Sequence, residues 1–204
     1  MPDIEEIEVK FVLPDLDAMR ERLRELGARP RGQYHEFNIR LDDPDGSLDE
    51  RNIQLRVRRA VEGQDTFSKL TVKTPSADSD PAFKIRREIE TLVDDYDALV
   101  ATLEFLGYTP YWRYEKYREK LTLGEVEICL DRVPIGQFME LEGPKEAIRE
   151  VASLIGLSMS ESLTHSYSKL FRRACDALGL EHGDLTFEAL RGVTIDPQLF
   201  FEMA

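Results

Sequence analysis

Charged residues in this 204-residue chain recur at every second position, in short runs. Glu6, Glu8 and Lys10 open the series. Arg56 and Arg58 follow, then Lys69, Thr71 and Lys73, then Lys84, Arg86, Glu88 and Glu90. Tyr114, Lys116 and Arg118 come next, then Glu125, Glu127, Cys129 and Asp131, and last Glu140 and Glu142. A period of two is that of a β-strand, so each run occupies one face of one strand. The intervening positions are mostly apolar: Ile7, Val9 and Phe11 in the first run, Leu55 and Val57 in the second, Leu70 and Val72 in the third. An amphipathic sheet with its polar face in water accounts for any single run. It does not account for all of them, because a solvated face has no need of Arg-x-Arg, Lys-x-Arg and repeated Glu-x-Glu where Ser, Thr and Gln would serve.

The other reading turns the charged faces inward to line a barrel. Enclosed charges are costly unless opposite charges, water or ligand fill the space between them. Such a lumen has a definite chemistry. Arginine forks grip phosphate oxygens in pairs, and lysine adds a point charge. Clustered carboxylates without a Cys/His set suit Mg²⁺ or Mn²⁺ rather than zinc. Cations and a divalent metal together imply a polyphosphate ligand, with phosphoryl or nucleotidyl transfer driven by positioning and charge stabilisation.

The chain as a whole is acidic, with a formal net charge of -13, which argues against a nucleic-acid partner held by phosphate contacts. Cys129 and Cys175 stand at no metal-like spacing and are read as free thiols of an intracellular, cytoplasmic protein. The N-terminus has no basic or apolar leader, and no apolar run is long enough to span a membrane, so neither a signal peptide nor a membrane is expected. A homodimer is compatible with the sequence without being specified by it.

The elements that must position the charged runs are strands interrupted by helices. A strand at 4–11 leads to a helix over 15–26, started at Pro14-Asp15 and stopped at Gly27. Strands follow at 33–42, 53–59, 66–73 and 83–93, with an Asp43-Pro44-Asp45-Gly46 turn and a Ser/Asp/Pro loop at 74–81. Then the chain starts again. A shift of 80 residues carries Glu8 onto Glu88, Asp15 onto Asp95, Leu23 onto Leu103, Gly27 onto Gly107, Tyr34 onto Tyr114 and Leu41 onto Leu121. Strands at 114–123 and 125–133 close the second copy, and a weaker third begins at 138. Two halves of antiparallel strands plus a helix imply an α+β fold: a closed or nearly closed barrel with helices packed outside. Residues 1–175 make that unit, and 176–204 an appendage with an apolar cluster, Leu199-Phe200-Phe201.

These runs resemble the CYTH superfamily, the triphosphate tunnel metalloenzymes, which includes class IV adenylate cyclases, thiamine triphosphatases and inorganic triphosphatases. Glu6-Ile7-Glu8-Val9-Lys10 is similar to the family's Glu-x-Glu-x-Lys signature, and Leu55-Arg56-Val57-Arg58 to its Leu-Arg-x-Arg strand. Leu70-Thr71-Val72-Lys73, Lys84 to Glu90, Glu115 to Arg118, Leu130-Asp131 and Glu140-Leu141-Glu142-Gly143 resemble the motifs that follow. The resemblance covers residues 4–172 and implies an eight-stranded antiparallel tunnel. It implies metal ligands at Glu6, Glu8, Asp131, Glu140 and Glu142, with Glu88 and Glu90 as further candidates. It implies triphosphate contacts from Lys10, Arg56, Arg58, Lys73, Arg86, Lys116 and Arg118, with Glu6, Glu8, Lys10, Lys73 and Arg118 nearest the chemistry. The strand His35 to Arg40 departs from the pattern of many cyclase-like members, and Thr74-Pro75 stands where Gly-Pro is more usual. Hydrolysis of a triphosphate, inorganic or organic (thiamine triphosphate, for example), is the favoured expectation. Cyclisation of ATP to cyclic AMP is the alternative, with Asn38 and Thr74 as the candidate base contacts, and a polyphosphate-binding module without turnover is the third.

Overall fold

The computed structural model describes residues 4–201. Its centre is a closed barrel of eight strands: β1 (Ile4–Val12), β2 (Arg29–Asp42), β3 (Gln54–Glu62), β4 (Asp65–Pro75), β5 (Lys84–Val93), β6 (Thr109–Leu123), β7 (Val126–Val133) and β8 (Gly136–Glu142). Around the barrel they run β1-β5-β4-β3-β2-β6-β7-β8, and every neighbouring pair is antiparallel. The strands begin or end within a few residues of the sequence expectation. The largest differences are the early starts of β6, at Thr109, and of β2, at Arg29, which passes Pro30 and Gly32 through an irregularity in its pairing with β6.

The repeat is visible in local detail. Helix α1 (Leu16–Glu25) is capped by Asp15, whose Oδ1 accepts from the backbone N–H of Asp17 and Ala18 at 3.0 and 2.9 Å. Helix α3 (Tyr96–Phe105) is capped the same way, Asp95 accepting from Ala98 N–H at 2.8 Å. Both helices stop at a left-handed glycine, Gly27 at φ 81° and Gly107 at φ 95°. A short helix, α2 (Ser47–Glu50), follows the Asp43–Gly46 turn. Helices α4 (Lys145–Leu154), α5 (Tyr167–Leu178) and α6 (Gln198–Phe201) complete the described chain.

The hydrophobic core lies outside the barrel wall, because the inner face is charged. On one side α1 and α4 bury Leu23, Ile148 and Ala152 against Phe11, Ile128 and Leu141. On another α3 packs Leu99 and Leu103 over Ile39, Leu41, Leu55 and Val57. The third cluster joins Leu170, Phe171 and Cys175 of α5 to Val12 and Phe138. It also includes two residues from beyond α5, Leu185 and Phe200, both fully buried. Leu185 exchanges backbone hydrogen bonds with Arg113 and Glu115 of β6, and Phe200 sits 5.6 Å from Phe138 between ring centroids. The segment after α5 therefore packs on the barrel as part of this core.

Candidate functional site in the barrel lumen

Alternate residues of all eight strands project into the barrel and leave a cavity of about 500 Å³. Cross-strand register divides its wall. Glu127, Glu142, Glu8 and Lys84 are successive partners across β7, β8, β1 and β5. Tyr114, Asn38, Arg58 and Lys69 are successive partners across β6, β2, β3 and β4. The first row is thus mostly carboxylate, and the second has cations and neutral polar groups but no acid.

Ion pairs bridge the two kinds of residue. Lys73 Nζ donates to Glu6 Oε1 at 2.6 Å and lies 3.1 Å from Glu88 Oε2. Lys84 donates to Glu8 at 2.5 Å, and Lys10 to Glu140 at 2.6 Å. Arg118 takes both oxygens of Asp131, at 2.6 and 2.5 Å, and also reaches Glu140. Arg56 donates to the Tyr114 hydroxyl at 3.3 Å and to Thr71 at 3.2 Å. Arg58 donates to Asn38 Oδ1 at 2.7 Å and to Glu36 at 2.9 Å.

The titration behaviour follows from this crowding. Burial pushes Glu8 up, but Lys84, Lys10 and Lys73 overcome it and hold its carboxyl at about 2. Glu36 is likewise held at about 2 against burial, by Arg58 and Lys116. Glu142 goes the other way: burial and the neighbouring Glu6 and Glu8 push it up to about 8. Tyr114 is brought down to about 8, because Arg56, Arg58 and Lys116 outweigh its burial. The Cys129 thiol is raised above its ordinary range by burial, and so stays an unreactive thiol.

The residues expected from sequence are largely brought together here. Glu6, Glu8, Lys10, Arg56, Arg58, Lys73, Glu88, Glu90, Lys116, Arg118, Glu140 and Glu142 all line the cavity. Two are placed differently. Asp131 is fully buried beneath the lumen side chains that bind it: its oxygens accept from Arg118, from Lys116 at 3.0 Å and from the Tyr167 hydroxyl at 2.7 Å. Arg86 lies at the mouth, donating to Asn52 Oδ1 at 2.8 Å and to the Lys73 carbonyl at 3.1 Å. Asn38 is committed to Arg58 and the Tyr114 carbonyl, which removes it as a free contact for a base.

Some lumen residues escaped the sequence reading. Glu36 is buried opposite Lys116 on β2, a strand for which no charged face was assigned. The repeat held the signal, since Glu36 shifted by 80 is Lys116. Tyr167 comes from α5, remote in sequence from every charged run. Its ring lies 4.5 Å from Lys10 Nζ and 5.2 Å from Lys116 Nζ. Tyr114 lines the lumen beside Lys116 and Arg118 of its run, and so does Trp112 stacked on it at 4.8 Å.

The CYTH domain model matches residues 5–169 of this sequence. The chain belongs to the CYTH family. A Methanocaldococcus jannaschii protein named as a putative adenylate cyclase is 25% identical over 176 residues, covering 81% of this chain and 97% of that one. A solved structure from Pyrococcus horikoshii is 26% identical, with a TM-score of 0.69, covering 81% of this chain and 97% of that one. A more distant fold relative, 16% identical with a TM-score of 0.57, covers 86% of this chain and 97% of its own; it is a Hippeastrum protein described as a putative adenylyl cyclase with a dominant triphosphatase activity. The CYTH match ends inside α5, so Leu185 and Phe200 lie beyond it.

The donor set of this CYTH lumen suits a hard divalent cation. Among the described residues no three carboxylate, imidazole or thiolate groups form a ready-made ligand cluster. Lys73 and Lys84 hold Glu6 and Glu8 in ion pairs instead. Yet Glu6 and Glu8, with burial, are close enough to Glu142 to keep its proton on at neutral pH. A cation replacing that proton would meet oxygen ligands alone, the chemistry of Mg²⁺ or Mn²⁺.

Proposed function

We propose that this CYTH chain hydrolyses a triphosphate held in the barrel lumen, with Mg²⁺ or Mn²⁺ as cofactor. One observation carries the reading: cations from six strands, β1 to β6, converge on one cavity, and the partners of Lys10, Lys73, Lys84 and Arg118 are carboxylates that a metal would also claim. Arg56 Nε is buried in the wall without a hydrogen-bond partner, so a donor is left over for an incoming phosphate oxygen. Triphosphate oxygens would take the place of the carboxylates beside Lys10, Lys73 and Lys84. Arg56, Arg58, Lys116 and Arg118 would hold the opposite side. Glu6, Glu8 and Glu142 would hold the metal, with Glu140 and Glu88 adjoining; the metal would neutralise charge on the phosphate oxygens as the bond breaks. The lumen would also hold the chain in line for displacement, which is most of what phosphoryl transfer needs.

ATP cyclisation is the second reading. Trp112 favours it, an indole on the lumen wall stacked on Tyr114, since an aromatic plate can take a nucleobase. The name of the Methanocaldococcus jannaschii relative points the same way. A product assay with Mg²⁺ or Mn²⁺ separates the two, offering tripolyphosphate, thiamine triphosphate and ATP side by side. Orthophosphate from tripolyphosphate, without cyclic AMP from ATP, is the expected result. Cyclic AMP with pyrophosphate would reverse the order. Binding with no product from any of them would leave a polyphosphate-binding module.

A further inference from the structure

Strand β6 outruns its partner on one edge. β2 pairs with it from Thr109 to Thr122, but β7 reaches only Tyr117 to Leu123. On the β7 side the stretch from Thr109 to Lys116 therefore overhangs, and it carries Trp112, Tyr114 and Lys116 of the lumen wall. An overhang of this kind leaves a row of backbone N–H and C=O groups to be paired by something other than a strand of the barrel. The segment after α5 pairs them. Leu185 N–H donates to the Arg113 carbonyl at 2.9 Å, and the Leu185 carbonyl accepts from Glu115 N–H at 3.0 Å, in a parallel bridge centred on Tyr114. Asp184 Oδ1 accepts from Arg113 N–H at 2.8 Å, and the Gly183 carbonyl accepts from the Trp112 indole N–H at 3.1 Å. Phe187 N–H donates to Glu115 Oε1 at 2.8 Å, and the other oxygen of that carboxylate lies 2.8 Å from His35 Nε2. The Leu185 side chain is fully buried in the cluster that also holds Leu170 and Phe171 of α5.

We infer that residues 183–187 are a strap that positions part of the lumen wall from outside the barrel, with Leu185 as the positioning residue. The inference rests on the lumen binding a triphosphate. None of these five residues lines the cavity, so the strap acts through β6. It holds the backbone at Arg113 and Glu115, and the inward side chains of Trp112, Tyr114 and Lys116 each stand one residue from a group so held. The effect reaches further through their contacts. The Tyr114 hydroxyl accepts from Arg56 of β3 at 3.3 Å, and Lys116 donates to Asp131 at 3.0 Å, so a shift of the overhang moves cations on two strands. The strap lies past residue 169, where the CYTH match ends, so this support is added by a part of the chain that the family model does not cover.

The test uses the full-length protein in EDTA, with tripolyphosphate affinity read by calorimetry. Trp112 is the only tryptophan of the sequence, so its emission reports on the strap without a ligand. Leu185→Pro removes the N–H that the Arg113 carbonyl accepts. It is expected to shift Trp112 emission to the red, to speed deuterium exchange at the Glu115 amide and to weaken tripolyphosphate binding about tenfold. Leu185→Ile keeps the backbone bonds and the apolar contact and should bind within about twofold of the wild type. Val151→Ala, on α4 in a separate core cluster, controls for lost stability: its melting midpoint should fall while emission and binding stay unchanged. Where Leu185→Pro does not melt cooperatively, Asp184→Ala, which removes the acceptor of Arg113 N–H, should show the same signs at about threefold. Unchanged emission and exchange in the strap variants overturn the strap. Wild-type affinity with faster exchange overturns the positioning role, because the strap would be loose without moving the lumen. So does equal weakening in Val151→Ala, which general loss of stability would explain. Failure of the wild type to bind tripolyphosphate overturns the lumen reading and the anion-binding role with it, whereas emission and exchange decide by themselves whether the strap holds β6.

Discussion

The first strand-helix-strand unit, β1-α1-β2, and its counterpart 80 residues on, β5-α3-β6, share their caps and their glycine stops but bear different loads. In the first, Glu6, Glu8 and Lys10 are buried, and α1 sinks Leu16 and Leu23 into the core. In the second, neither β5 nor α3 has a fully buried residue. The local fold tolerates this, since caps and stops depend on a few residues at helix ends while burial depends on what packs outside. The pairing between halves shows where the difference matters. Glu6 lies opposite Arg86, and Glu36 opposite Lys116; each pair joins a residue to its own repeat equivalent. These pairs mark a pseudo-twofold axis, and at both the charge is reversed between copies. Two like carboxylates or two like cations there would repel at close range. Divergence at the axis lets one barrel present carboxylates and cations to the same ligand.

The largest expected effect sets β1 against its equivalent. E6Q/E8Q should lower metal-dependent turnover by about a thousandfold, since both carboxylates belong to the wall expected to hold the metal. E88Q/E90Q, at positions 80 residues from Glu8 and Lys10, should cost about tenfold or less, because Glu90 is exposed and pairs with Lys69. Equal losses would break the asymmetry. Circular dichroism should accompany the assay, because Lys73 and Lys84 each lose a buried partner.

The helices give the next contrast. Leu23→Ala should destabilise the fold by about 2–5 kcal/mol, as expected for a fully buried leucine. Leu103→Ala, at the equivalent but only half-buried site, should cost about half as much or less. Denaturant melts of the two variants decide it, and similar midpoints would show that α3 carries more of the core than its exposure suggests.

A smaller effect concerns pH. The folded carboxyl of Glu142 titrates near 8, against an ordinary value of 4.5, so the fold holds a proton there that the unfolded chain releases. Stability from this group is full below about 4.5 and is lost as pH rises through about 8. A divalent cation must displace that proton, so Mn²⁺ affinity should rise by up to tenfold per pH unit below 8 and flatten above it. Calorimetry across this range should show the slope, and E142Q should make it shallower. A flat wild-type profile would contradict the assignment.

The smallest effect is spectroscopic and again compares the halves. Tyr34 and Tyr114 are repeat equivalents, yet burial and Glu62 push Tyr34 up while the arginines bring Tyr114 down to about 8. Tyrosinate absorbance should show one early step near pH 8 that vanishes in Y114F, and a bound polyanion should move that step upward. Loss of the early step in Y34F instead would invert the comparison.

The barrel was legible in the sequence because its inner face is made of residues too costly to enclose without a purpose. Glu6, Glu8, Arg56, Arg58 and Lys73 alternate with apolar residues, and that pattern specifies both strand and face. Glu36 was harder to see. Its neighbours His35 and Phe37 make the outer face of β2 aromatic, and Phe37 is exposed there, so hydrophobicity points to the wrong side. Tyr167 was not legible at all, and Phe200 only as one of an apolar cluster with no assigned place. Each reaches the barrel end through packing with Phe138, and no local period encodes a contact of that range. The covering of Asp131 likewise includes a hydroxyl that α5 brings to it.

What the lumen holds decides the function. The most direct measurement is a crystal structure of the protein with tripolyphosphate and Mn²⁺, read in the anomalous signal of manganese. It should place a manganese peak among Glu6, Glu8 and Glu142, with phosphates between Lys73 and Lys84 on one side and Arg56, Arg58, Lys116 and Arg118 on the other. The ion pairs of Lys73 with Glu6 and Lys84 with Glu8 should be open. Tripolyphosphate bound outside the barrel, with those ion pairs intact, would contradict it.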